Sequence, residues 1–460
     1  MAEPAARTLA EFSTGLTYDA IPEAVREKAV LHVLDAFGAG IAGLAMGEVP
    51  AARAVAEQMG GTPEATALGI GGRLPAGLAA FANAAAIHAL DFDDTHDAAL
   101  VHSSAVIGPV ALACGEAWGA DGREVVAAMV AGFELSSRIG LAGAGNLHVR
   151  GFHPTSVCGI FAGASIASRL RGLDIDVTTQ ALGISGSFGS GVLEFLADGS
   201  QTKPYHPAWA SLGSVTAAGL AANGGEGPAT ILEGRFGFLP THLNEGQYDV
   251  GALTAGLGST WETMAVAIKP YPACHCTHTI LDALRVIIDR DGIAAGDVAS
   301  ITCRVPSEVA VRLVLEPTER KKAPANPYEA KFSLPFTIGA MLVHDHVGVD
   351  SFTEAAIVDP AVLAVAERVD YVVEPFPNGN ADLAGAITVR TNDGRELVEE
   401  VLVPRGGSDN PMNGDQIKDK FRLNAALALS DADVEAMVAA FDAIAEDGVA
   451  PIAALLAKAS

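Results

Sequence analysis

At 460 residues the chain is long enough for two or three domains and a large core. Half of its residues are hydrophobic but only 6% are aromatic, and glycine alone accounts for 50, a composition suited to closely packed small-residue helices. With 29 basic against 55 acidic side chains the formal charge is −26, which argues against nucleic acid and anionic membrane as partners.

The five cysteines are odd in number and the chain is too large to need staples, so free thiols in a reducing cytoplasm are expected. The opening MAEPAARTLAEFSTG has no basic run followed by an apolar one, so no signal peptide is expected. No stretch reaches 18 uninterrupted apolar residues. The apolar segments 103–118 and 154–168 read as buried helices.

In chain order, Pro22 fits a first helical turn, and apolar residues then recur at spacings of three and four. Similar stretches near 49–59, 75–92, 102–118, 122–140, 153–171 and 210–223 predict helices, with no convincing strand before about residue 265. The glycine-rich run ALGISGSFGSG predicts close helix contact or a connection. A helix is predicted at about 275–289 and a strand at DVASITCRVP. Another helix follows at 328–343, a strand at RVDYVVEP, and a hairpin in AITVRTNDGRELVEEVLVP turning at Asn392-Asp393-Gly394. Residues 415–460 return to helix. The expected architecture is mainly α: an all-helical domain of residues 1–265 and 405–460, with a smaller α+β domain, 266–404, inserted.

Chemistry concentrates in HALDFDDTHDAALVHSS at 88–104, which holds His88, Asp91, Asp93, Asp94, His96, Asp97 and His102. Asp93–Asp97 matches DDxxD, a pattern by which helical enzymes hold magnesium-diphosphate, but no second acidic motif or basic partner accompanies it. An acid/base reading is the alternative. If the helix continues, Asp91 and Thr95 share a face at i and i+4, and His102 returns after a short loop. A third reading is a helix end with solvated carboxylates. GFHP at 151–154 sets His153 at a helix N-terminus, a natural anion site. QTKPYHP and IKPYPACHCTH place Lys203 and Lys269 beside prolines, the latter followed by Cys274, His275 and His278. Cys274-x-Cys276 has the wrong spacing for a zinc knuckle, and HDH at 344–346 reads as a polar turn. No GxxxxGK[ST] or GxSxG is present.

The ordered set HALDFDDTH, VHSS, GFHPTSVCG, QTKPYHPAWASLGSVTAAGLAANG, GPATILEGRFGF, KPYPACHCTH, EAKFSLPF and NPM spans about residues 15 to 425. It resembles the MmgE/PrpD family, which includes 2-methylcitrate dehydratase, cis-aconitate decarboxylase and iminodisuccinate epimerase. The resemblance implies a helical domain with an α+β lid, a homodimer, and an active site between domain and lid that uses no metal and no cofactor. It implies catalytic roles for Asp91, Thr95, His102, His153, Lys203 and Lys269. Substrate contacts fall to His153, Lys203, Lys269, Cys274 and His275. The substrate implied is a small di- or tricarboxylic acid such as 2-methylcitrate, and the reaction a dehydration by acid/base proton transfer. Epimerisation or isomerisation, cis-aconitate-type decarboxylation, and a non-catalytic helical binding protein are the alternatives. Three departures matter. Ser103 follows His102 where the family usually has proline. Cys274 stands where decarboxylating members have histidine, with His275 one place later. The tyrosine those members carry upstream of the EAKFS-like stretch has no match.

Overall fold

The computed structural model describes residues 3–377 and 383–459. The chain divides into two compact units, Met1–Ile268 with Asn413–Ser460, and Lys269–Met412.

The first unit is mainly α. Its centre is the helix Pro154–Leu170, every residue of which is buried. Around it pack the helices Tyr205–Ala222, Gly122–Ala142 and Ser104–Trp118, and Ala76–His88 lies against the first and last of these. Small residues permit the close approach: a Cβ on Gly163 would fall 2.3 Å from Ser214 Oγ on the neighbouring helix. Glu23–Ala45 begins amphipathic and is buried almost continuously from His32 to Leu44. The helix Gly414–Ala425 packs on it. Lys420 fastens the two: its Nζ donates to Asp35 Oδ2 at 2.8 Å and to the Phe92 carbonyl at 2.9 Å, and lies 3.8 Å from the Phe92 ring centroid. Burial pushes the Asp35 carboxyl up to about 6 against the opposing pull of Lys420. Glu23–Ala45 and Gly122–Ala142 are long and apolar enough to cross a membrane, but most of their apolar residues are buried inside the unit. They serve as core helices.

Several sequence expectations change here. The unit is not wholly helical. Ala65–Thr66 pairs with Arg73–Leu74, and Thr95–His96 pairs antiparallel with Val266–Ala267. Two-residue strands carry no readable alternation, and the second pair joins segments distant in sequence. The helix expected to reach residue 92 stops at His88, and the one expected from 210 starts at Tyr205. The glycine-rich run closes the helix Ile175–Ser185 and makes the close contacts expected of it: a Cβ on Gly183 would fall 2.6 Å from the Gly227 carbonyl carbon, and one on Gly186 2.3 Å from the Ile231 side chain.

The second unit carries a four-stranded sheet in the order Val369–Val373, Val298–Val305, Gly385–Thr391, Glu396–Val401. The first pair is parallel and the others antiparallel. His278–Asp291 covers the last two strands and contacts Leu334–His344. The strand Glu396–Val401 has no fully buried residue, as an edge strand with one solvated face should.

Candidate active site

The acidic run begins where the helix Ala76–His88 ends. Asp91 has φ +54°, which breaks the helical path, and Thr95 sits on a short strand. Asp91 and Thr95 therefore do not share a helix face. The expectation failed because the carboxylates are taken by tertiary partners, which a continuing helix would not allow.

The solvated-end reading fails as well. Asp91, Asp93 and Asp94 are 1%, 0% and 0% exposed, and a buried carboxylate must be paired. Asp91 makes an ion pair with Lys203. Asp93 Oδ2 lies 2.8 Å from His88 Nδ1. Asp94 Oδ2 lies 2.9 Å from His32 Nδ1 and accepts from Ser104 Oγ at 2.6 Å, while Asp94 Oδ1 accepts from the Ser104 amide at 3.0 Å. The carboxylates of the DDxxD match thus diverge to separate partners, and Asp93 and Asp94 do not converge on one ion.

His102 is anchored at both ends. Its amide donates to Thr155 Oγ1 at 3.0 Å. Its Nδ1 lies 2.8 Å from the Asp94 carbonyl and 2.9 Å from Thr95 Oγ1. A carbonyl can only accept, so a neutral ring carries its proton on Nδ1 and keeps its lone pair on Nε2. That is the tautomer a general base requires.

His153 occupies the N-cap position of Pro154–Leu170, and its amide donates to the Gly191 carbonyl at 3.0 Å. Gly191 has φ +123°, and a Cβ there would fall 3.1 Å from the His206 ring, so the turn that holds His153 requires glycine. His153 Nδ1 is 3.1 Å from His206 Nδ1. Burial holds the His153 imidazole well below its ordinary range, helped by His88 and Lys203. Burial, His88 and Lys203 likewise push His206 down to about 4. Both rings are neutral near pH 7, so one proton lies between their facing Nδ1 atoms. His153 stacks on His88 with centroids 5.4 Å apart, and His102 lies 5.0 Å from His88 and 6.1 Å from His153 by the same measure.

The first unit thus brings together Asp91, Thr95, His102, His153 and Lys203. It adds two residues not among the expected site set, His88 and His206. The signal for both was present: His88 opens the acidic stretch and His206 lies in the same TKPYHP motif as Lys203. Lys269, Cys274 and His275 belong to the second unit, where they are 1%, 8% and 8% exposed. There the Cys274 amide donates to the Lys331 carbonyl at 2.8 Å, and the His275 ring lies 4.8 Å from that of His278.

Comparison with known proteins matches the MmgE/PrpD N-terminal domain over residues 7–250 and the MmgE/PrpD C-terminal domain over residues 271–443. A human relative, cis-aconitate decarboxylase, is 30% identical over 380 residues, covering 80% of this chain and 76% of its own. Cis-aconitate decarboxylase of Aspergillus terreus is 27% identical over 475 residues, covering 97% and 95%. Matches to both halves and to enzymes along most of the chain accord with the buried carboxylate, imidazole and lysine groups described above: the chain belongs to the MmgE/PrpD family.

Proposed function

We propose that the protein is a lyase acting on a small di- or tricarboxylic acid by acid/base proton transfer from side chains alone. The observation that carries this reading is His102, half-buried with its ring centroid 6.1 Å from that of His153, and with Nδ1 held so that the neutral ring keeps its lone pair on Nε2. A proton next to a carboxylate is weakly acidic, and the enediolate formed on its removal needs positive charge nearby. Lys203 supplies that charge, the resemblance to the family assigns the same part to Lys269, and His153 donates to a carboxylate oxygen. Asp91 and Thr95 hold Lys203 and His102 in place. Cys274 and His275 contribute to substrate recognition.

In dehydration of a 2-methylcitrate-type acid, His102 takes the α-proton, the C–H electron pair becomes the new C=C bond, and the hydroxyl leaves protonated by a second group. His275 is the candidate for that acid. In decarboxylation of a cis-aconitate-type acid, the C–C electron pair released with CO₂ is delocalised, and protonated His102 returns a proton to carbon. Cys274, where the resemblance puts histidine in decarboxylating members, favours dehydration. The relatives, cis-aconitate decarboxylases, support decarboxylation equally well. A homodimer in the cytoplasm belongs to the same reading, and sedimentation velocity tests the dimer.

The purified protein should be assayed with 2-methylcitrate, cis-aconitate and iminodisuccinate, following alkene formation and CO₂ release. Release of CO₂ assigns the decarboxylase reading, and alkene without CO₂ the dehydratase. Tight calorimetric binding of these acids with no turnover of any would replace the enzyme by a binding protein.

A further inference from the structure

His88, His102 and His153 each offer a ring nitrogen, and the three atoms lie within 4.8 Å of one another. Their outer nitrogens are all engaged. Asp93 holds His88 Nδ1, the Asp94 carbonyl and Thr95 Oγ1 hold His102 Nδ1, and His206 holds His153 Nδ1. This is the arrangement that orients histidine ligands toward a metal: the carboxylate behind His88 and the carbonyl behind His102 fix those tautomers and raise ligand basicity, and His153 takes the Nδ1–H tautomer, with His206 Nδ1 accepting, when an ion binds its Nε2. The Nε2 atoms of His88 and His153 are buried and have no hydrogen-bond partner among the described residues, and these two side chains belong to residues 0% and 3% exposed.

From this the geometry points to a tris-histidine binding site for one Zn²⁺-class ion at His88, His102 and His153. The charge around the rings is mixed, with Lys203 paired to Asp91 and Asp93 standing behind His88, so the donor set and its convergence carry the assignment. Three imidazoles with an open fourth position are a zinc donor set, whereas magnesium prefers oxygen. A tetrahedral zinc site places its nitrogens roughly 3.3 Å apart, so the rings must close by about 1.5 Å at most. The ion occupies the imidazoles that the proposed reaction uses, so it acts as an inhibitor, not a cofactor. The inhibition rests on the proposed function; the binding itself does not.

The test uses the full chain, stripped with EDTA and desalted, and titrated with Co²⁺ as a spectroscopic probe. One equivalent should bind with the intense visible bands of a four- or five-coordinate ion and be displaced by Zn²⁺. His88→Gln and His153→Gln should each weaken Co²⁺ binding at least about tenfold, and Asp93→Asn by about 10–100-fold through the ligand it orients. Circular dichroism of each variant accompanies the titration. If the variants lose their fold, X-ray absorption of the zinc-loaded wild type decides, with three imidazole nitrogens expected near 2.0 Å. Weak six-coordinate binding only would overturn the site. So would unchanged affinity in folded His88 and His153 variants, because the ion would then sit elsewhere, for instance at the exposed His346 and Asp350 pair.

Discussion

Lys203 and Asp91, 112 residues apart in sequence, form an ion pair in which both side chains are almost wholly buried. The pair ties the residue at which the acidic run leaves its helix to the turn before Tyr205–Ala222, so it sets the geometry of the site as well as its charge. Removing one partner of such a pair strands the other charge and costs about 3–5 kcal/mol. Lys203→Met should lower stability by that amount in urea unfolding, and Asp91→Asn on the same background should restore part of it. Additive losses in the double mutant would show that the two do not act as a pair. Where Lys203→Ala stays folded, substrate affinity should fall by roughly one to two decades, the scale of a charge-assisted contact, and Lys269→Ala should do the same.

His102→Gln should lower kcat by about 10²–10⁴ and affect binding far less. It should also abolish solvent-deuterium exchange at the substrate α-carbon. Exchange at the wild-type rate in this variant would pass the role of base to Lys203 or Lys269.

The imidazole pair gives an acid-side signature. The folded pKa of His206 is depressed from its ordinary value near 6.5 to about 4, and that of His153 is also lowered, so the folded state binds fewer protons than the unfolded one in this window. Their contribution to stability is intact above pH 6.5 and is lost as pH falls through the folded values. Asp35, raised from 3.8 to about 6, acts in the opposite direction, favouring the folded state as pH falls from 6 to 3.8. His206→Asn should therefore flatten the acid-side loss in urea midpoints between pH 6.5 and 4 by up to one proton. An unchanged slope would mean that His206 is not held neutral.

Prolonged EDTA treatment should leave turnover intact, and added Mg²⁺ should restore nothing beyond it. Asp91→Ala should harm activity more than Asp93→Ala, because Asp91 pairs with Lys203 whereas Asp93 acts on His88. Recovery by Mg²⁺ of a chelator-inactivated enzyme would reinstate the DDxxD reading.

Gly163 tests the packing beneath the site. A methyl group there meets Ser214 Oγ at 2.3 Å, so Gly163→Ala should destabilise the protein by about 1–3 kcal/mol, read as a lower urea midpoint. Wild-type stability in this variant would mean that the two helices can separate freely.

Local patterns were legible in the chain itself. The 3.6-residue recurrence of apolar side chains marked the long helices, because a helix face repeats within a few residues. Asn392-Asp393-Gly394 marked the hairpin between Gly385–Thr391 and Glu396–Val401, because a tight turn is chosen by its own residues. The motifs that pointed to Asp91, Thr95, His102, His153 and Lys203 were equally visible as residue types. Their partners were not. Nothing between positions 88 and 104 tells that Asp93 goes to His88 while Asp94 goes to His32, that Asp91 reverses its φ, or that His153 faces His206 across Gly191. Each of those choices is made by burial: once the helices close around the acidic run, every carboxylate and imidazole must find whichever partner the packing brings within reach, and that partner is set by the tertiary structure, not by spacing along the chain.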